Sequence, residues 1–317
     1  MSRVHDALRR AEGTFGMSAP LSGGAPMGAT GVMGAPSDTA LHGLLEQVKE
    51  VPWDPAAEAH LIEASRPHDG PMEEFRSLRT RLNHLQGIQP LHTLVITSAS
   101  PAEGKSFTAA NLAVVESHLQ GQSVLLCDFD FRRPIVHNMF KLDRSPGLTD
   151  YLQGKATLSE VVKRVEGTNL YLAPAGSAVI NPLELLNLKE VRTLLERLPT
   201  LFNWVILDSP PLLFAADANL LATLTDGTLL VVRLGQTTID AVTRALAGMS
   251  HNNVIGVVAN AAKRGELYSK YTYYHNYYYS DDRGTNDDAE RPMEAPTEAA
   301  AAEKQAKSED RDAQSSG

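Results

Sequence analysis

The chain holds a single cysteine, Cys127, among 317 residues. One thiol can neither close an intramolecular disulfide nor ligate an iron–sulfur cluster, so the fold rests on its core and a reducing compartment fits. Basic residues are also in short supply. Lys and Arg number 29 against 38 Asp and Glu, a formal charge of −9, which argues against nucleic acid as a partner. No apolar run approaches the ~20 residues a membrane helix needs, and the opening MSRVHDALRRAE lacks the apolar segment of a secretory signal. These absences predict a soluble, cytoplasmic protein that reaches a membrane only through a partner.

The chain alternates between sparse and dense stretches. Residues 1–12 read as a short amphipathic helix with Val4, Ala7, Leu8 and Ala11 on one face, too short to stand alone in water. Residues 13–66 read as a flexible linker, rich in Gly, Ala, Pro, Ser and Met at first, with one short helix expected over Leu41 to Val51. Pro71 starts a clear helix. Phe75, Leu78, Leu82 and Leu85 recur at helical spacing, and Glu73, Arg76 and Arg79 form a charged ridge beside them. Taken alone, that ridge is an ordinary solvated face.

Strand and helix then alternate, with strands predicted over 94–98, 123–128, 170–173, 204–208, 228–233 and 254–260. Their runs (VLLC, VILD, TLLVV, VIGVV) are continuously apolar. Continuous rather than alternating apolarity marks a parallel sheet covered on both faces. The fold class expected is α/β, a mostly parallel central sheet with helices on both faces, spanning residues 67–265.

The most informative stretch is LVITSASPAEGKS, Leu94 to Ser106. A β-branched strand, a turn, Gly104-Lys105-Ser106 and a helical pattern make a phosphate loop, with Ala99 replacing the usual first glycine. Backbone N–H groups at the helix start would face phosphate oxygens, Lys105 would reach the β- and γ-phosphates, and Ser106 would ligate Mg²⁺. Glu103, Gly104, Lys105, Ser106 and Phe107 form the candidate nucleotide-binding set. Two further strands end in acids, LLCDFDFRRP in Asp128 and Asp130 and VILDSPP in Asp208. Parallel strands deliver their C-terminal ends to one edge, so these three carboxylates should converge on the loop. Their mutual repulsion calls for a cation, which argues for Mg²⁺.

Seven of the nine tyrosines, Tyr268, Tyr271, Tyr273, Tyr274, Tyr277, Tyr278 and Tyr279, fall within twelve residues. No single period keeps these rings on one buried face, so the segment 266–280 reads as a cluster of phosphate acceptors, with an aromatic contact patch as the plainer alternative. Residues 281–317 carry 11 acids against 5 bases and read as a disordered acidic tail.

From about Pro67 to Tyr279 the chain resembles the bacterial tyrosine kinases, P-loop autokinases of exopolysaccharide and capsule export with the architecture shared by partition and septum-positioning ATPases. SASPAEGKS looks like their Walker A, LLCDFDFRRP like their Walker A′ and VILDSPP like their Walker B, and a tyrosine cluster closes the domain. The N-terminal helix and linker resemble the exosortase-linked form that has no membrane segment. The resemblance implies ATP and Mg²⁺ as cofactors. It makes Lys105, Asp128 and Asp130 catalytic, with Asp128 orienting or deprotonating the acceptor hydroxyl. Ser106, Asp130 and Asp208 would hold the metal, and Asn260 would contact adenine. Glu73-x-x-Arg76-x-x-Arg79 matches the helix that family uses for ring-like self-association, an octamer by resemblance. The tail would be phosphorylated in trans. The activating partner would be a membrane chain-length-determinant adaptor.

The main rival is a positioning ATPase of the same fold without tyrosine transfer. Those proteins carry a signature lysine early in the loop, where this chain has Ser100, and they lack a tyrosine tail. A second rival is a nucleotide switch that binds without transferring.

Overall fold

A computed structural model describes residues 45, 47–62, 70–249 and 254–262. The expected N-terminal helix, most of the linker, the tyrosine cluster and the acidic tail lie outside the described residues.

In chain order the elements are β1 (Lys49–Val51), α1 (Gly70–Gln86), β2 (Thr93–Ser98), α2 (Lys105–Ser117), β3 (Val124–Asp128), α3 (Val136–Met139), α4 (Leu148–Leu152), α5 (Leu158–Val161), β4 (Lys163–Val165) and β5 (Leu170–Ala173). Then follow α6 (Pro182–Leu186), α7 (Lys189–Arg197), β6 (Trp204–Asp208), α8 (Ala216–Thr223), β7 (Gly227–Arg233), α9 (Ile239–Ala247) and β8 (Val254–Asn260). The strands form one sheet in the order β1-β4-β5-β3-β6-β2-β7-β8. All pairings are parallel except β4 with β5.

The six apolar strands run in one direction, as their composition predicts. Side chains alternate across a strand, and here the alternation sorts the core into two layers. Leu94, Ile96, Leu126 and Ile206 face α1 and α2. Val95, Leu125, Cys127, Val205 and Leu207 face α7 and the short helices on the other side. Cys127 is one of these packed residues, and burial pushes its thiol well above the usual range.

Three expectations need correction. Residues 49–51, read as part of a short helix, form strand β1 on the edge of the sheet, paired with Lys163–Val165. Residues 163–165, which none of the predicted strands covers, form β4, which runs against β5. Three-residue strands carry no legible period, and pairing across the sheet decides them. The linker reading of 13–66 also fails over residues 48–62. Leu61 and Ile62 enter the core, Trp53 packs edge-on against Phe140 with ring centroids 6.1 Å apart, and Asn111 Oδ1 accepts the Ile62 N–H at 2.7 Å.

Candidate active site

The centre of the sheet builds the site. In β3-β6-β2 the C-terminal ends lie side by side, with Asp128 directly opposite Asp208 across the β3–β6 ladder and Ile96 opposite Asp208 on the other side. The phosphate loop leaves β2 beside these acids and turns into α2. Ala99 is fully buried and keeps a negative φ, so this position makes no demand for glycine. Gly104 sits at φ +98°, where a Cβ would overlap the side-chain nitrogen of Asn260. That position accepts only glycine.

Lys105 is the hub. Its Nζ lies 2.9 Å from Asp130 Oδ2, 3.8 Å from Asp208 Oδ1 and 3.1 Å from the Ser106 hydroxyl oxygen, to which it donates. Burial by itself lowers the ammonium pKa, but Asp208 and then Asp130 more than offset this and hold it above the usual lysine range. Asp128 is fully buried. Its Oδ2 accepts the Ile135 and Val136 N–H groups, each at 3.0 Å, and its Oδ1 accepts the Asp130 N–H at 3.2 Å. Burial first, then the nearby Asp208, pushes Asp128 up to about 8. Burial also lifts Asp208 to about 6, against the pull of Lys105. Both Asp208 oxygens are buried without a hydrogen bond.

An orphaned buried carboxylate beside a serine hydroxyl fits a divalent cation. No three acidic, histidine or cysteine side chains gather into a cage among the described residues. Ser106, Asp208 and Asp130 are the residues that would hold the cation.

The side chains of three candidate nucleotide-binding residues have partners within the protein. The Glu103 side chain is 2% exposed and bonded within the protein, accepting from Ser100 N–H and from the Thr237 hydroxyl. The Phe107 ring packs edge-on to Phe75 of α1 at 5.8 Å. Asn260 donates to the Glu103 carbonyl and accepts the Ala261 N–H, so both ends of its amide are used. Sequence reasoning missed Asp217, which binds Arg132 through both carboxylate oxygens at 2.6 and 3.1 Å and anchors the turn after Asp130 to α8. No spacing links residues 85 positions apart. The Arg133 N–H fixes Asp130 Oδ1 at 3.0 Å.

The ridge on α1 is divided. Arg76 pairs with Glu73 at 2.5 Å on the surface, while Arg79 donates to the Val115 carbonyl near the end of α2 at 2.7 Å.

No family model matches the chain. It is 35% identical to the tyrosine-protein kinase YwqD of Bacillus subtilis over 217 residues, 68% of this chain and 91% of the relative. The chain belongs to the bacterial tyrosine-protein kinases. This kinase chain is also 32% identical to the tyrosine-protein kinase wzc of Salmonella typhimurium over 229 residues, 71% of this chain, although it spans only about a third of that relative's length (32%). The solved kinase domain of Escherichia coli tyrosine kinase ETK superposes with a TM-score of 0.57 at 30% identity, covering 65% of this chain and 83% of that one. The positioning-ATPase rival therefore gives way to the kinase family. No helix among the described residues of this kinase is long and apolar enough to cross a membrane.

Proposed function

We propose that this kinase uses Mg·ATP to phosphorylate tyrosines of its own segment 266–280, in trans between copies, and so regulates exopolysaccharide or capsule synthesis and export. The observation that carries the reading is the Lys105 ammonium set between Asp130 and Asp208 at the mouth of a phosphate loop. Lys105 binds the β- and γ-phosphate oxygens. Ser106, Asp130 and Asp208 would hold Mg²⁺, which would offset charge developing on the phosphates. Asp128 orients the acceptor hydroxyl and takes its proton as the tyrosyl oxygen bonds to the γ-phosphorus and the bond to the ADP oxygen breaks. The described chain ends at Ala262, next to Asn260 on the loop, and Tyr268 follows six residues later.

Incubation with Mg·ATP should give phosphotyrosine signal in the full chain and none after deletion of 267–282, with Mg·ADP binding retained. ATP hydrolysis without phosphotyrosine would favour a switch instead. Mixing a Lys105→Met chain that keeps its tyrosines with a tail-deleted active chain tests the trans mode. Label on the former supports it, and no label refutes it.

The ridge of Glu73, Arg76 and Arg79 is assigned to self-association into a ring, with an octamer as the expected size and a membrane chain-length adaptor as the activating partner. Phosphates on the tail, each adding roughly −1.5 to −2 charge, would then loosen the ring. Arg76 is the clean probe because Arg79 also supports α2. Arg76→Ala should move the assembly toward monomer in light scattering at an unchanged melting temperature. An unshifted oligomer returns the ridge to an ordinary solvated face.

A further inference from the structure

The crest of the phosphate loop is gripped by side chains from the last two strands and the turn between β7 and α9, none of them part of the loop motif. The buried Glu103 carboxylate closes the loop on itself through Ser100 N–H at 3.0 Å and accepts the Thr237 hydroxyl at 2.6 Å. The Glu103 carbonyl accepts from Asn260 Nδ2 at 3.0 Å, and the Ala102 carbonyl accepts from Arg233 at 3.1 Å. Thr237 is itself fixed. Its hydroxyl oxygen accepts the Arg233 N–H and its own N–H donates to the Arg233 carbonyl, both at 2.8 Å. A hydroxyl has one proton to give, and here Glu103 receives it. Between these anchors Ala102 is held at φ +63°, a left-handed conformation an alanine avoids. A loop that carries such a residue needs its surroundings to impose the shape.

We propose that Glu103 and Thr237 form a strut that holds the phosphate loop in its phosphate-receiving shape, making Thr237 a positioning residue for the nucleotide. The proposal rests on the nucleotide-binding half of the reading above and is independent of where the phosphoryl group goes. Without the strut, part of the binding free energy would go into ordering the loop, and affinity would fall by the fraction of chains already in shape.

Calorimetric titration of the full chain with Mg·ADP tests this. Thr237→Val keeps the side-chain volume and removes the hydroxyl, both its proton to Glu103 and its oxygen to the Arg233 N–H. It should weaken binding about tenfold, about 1.4 kcal/mol, while the melting temperature of the nucleotide-free protein stays within a few degrees. Thr237→Ser should restore affinity to within about twofold of the parent, since the proton is back. In a Glu103→Ala background the Thr237→Val change should cost clearly less than in the parent, because the contact to Glu103 is already gone and only the acceptor of the Arg233 N–H is lost. Wild-type affinity in Thr237→Val, failure of Thr237→Ser to restore it, or an equal loss with Glu103 already removed would each overturn the strut. Normal Mg·ADP binding and an intact strut in a chain that never transfers phosphate to tyrosine would overturn the kinase reading alone.

Discussion

Lys105→Met is expected to abolish phosphotyrosine formation and to weaken Mg·ADP binding at least about a hundredfold, roughly 2.7 kcal/mol. The ammonium is the cation nearest two carboxylates and the serine that would share the phosphates and metal. Methionine matches its length without its charge. An immunoblot and a calorimetric titration read the two effects, and binding retained within tenfold would remove Lys105 from the phosphate site. The same variant changes the pH dependence of stability. Asp208 and Asp128 are raised by burial to about 6 and about 8, against ~3.9 for an aspartate in an unfolded chain. Between those limits the folded state binds more protons than the unfolded one, so stability falls as pH rises from about 4 to about 8. Lys105 moderates this by favouring the ionised acids. Without it the fall should steepen, with Lys105→Met close to the parent at pH 5 and clearly less stable at pH 8. Parallel melting curves across that range would show that the lysine does not act on these carboxylates.

Asp128→Asn should lower the transfer rate at least about a hundredfold, the scale of a lost general base, while Mg·ADP still binds within about threefold. The structure adds a cost beyond chemistry. An asparagine oxygen can take the two N–H groups of Ile135 and Val136, but its NH₂ then faces the Asp130 N–H, donor against donor. Losing that bond in a buried site costs about 1–3 kcal/mol, so assays belong well below the lowered melting temperature. Asp130→Asn provides the contrast. It breaks the closest pair of Lys105 and should weaken binding of Mg²⁺ and nucleotide together. If Asp128→Asn transfers phosphate at the parental rate, the carboxylate is only a staple for the turn at residues 135 and 136.

Much of this site was legible because its parts lie on long, strongly patterned elements. The apolar strands around β2, β3 and β6 declare a buried parallel sheet, and a parallel sheet brings strand ends together, so Asp128, Asp130, Asp208 and Lys105 could be assigned to one edge in advance. The two short strands at one end of the sheet were not legible, because Lys49–Val51 and Lys163–Val165 gain their conformation only from each other and from β5. Glu103 and Phe107 were assigned to the nucleotide by position in the motif and Asn260 by resemblance, and what their side chains touch within the fold was not legible, because the direction of a side chain depends on its neighbours. Glu103 finds Thr237, Phe107 finds Phe75, and Asn260 finds the loop carbonyl.

By itself the sequence determined the kind of sheet, the loop, the acids that face it and the family to which they belong, since each follows from local period, residue chemistry or motif order. Only the tertiary structure decided that segment 48–62 joins the domain, that Arg79 is tied to α2, and that the phosphate loop is braced from β7 and β8. Those are contacts between residues tens to hundreds of positions apart, and in a single sequence nothing but the folded chain brings them within hydrogen-bonding distance.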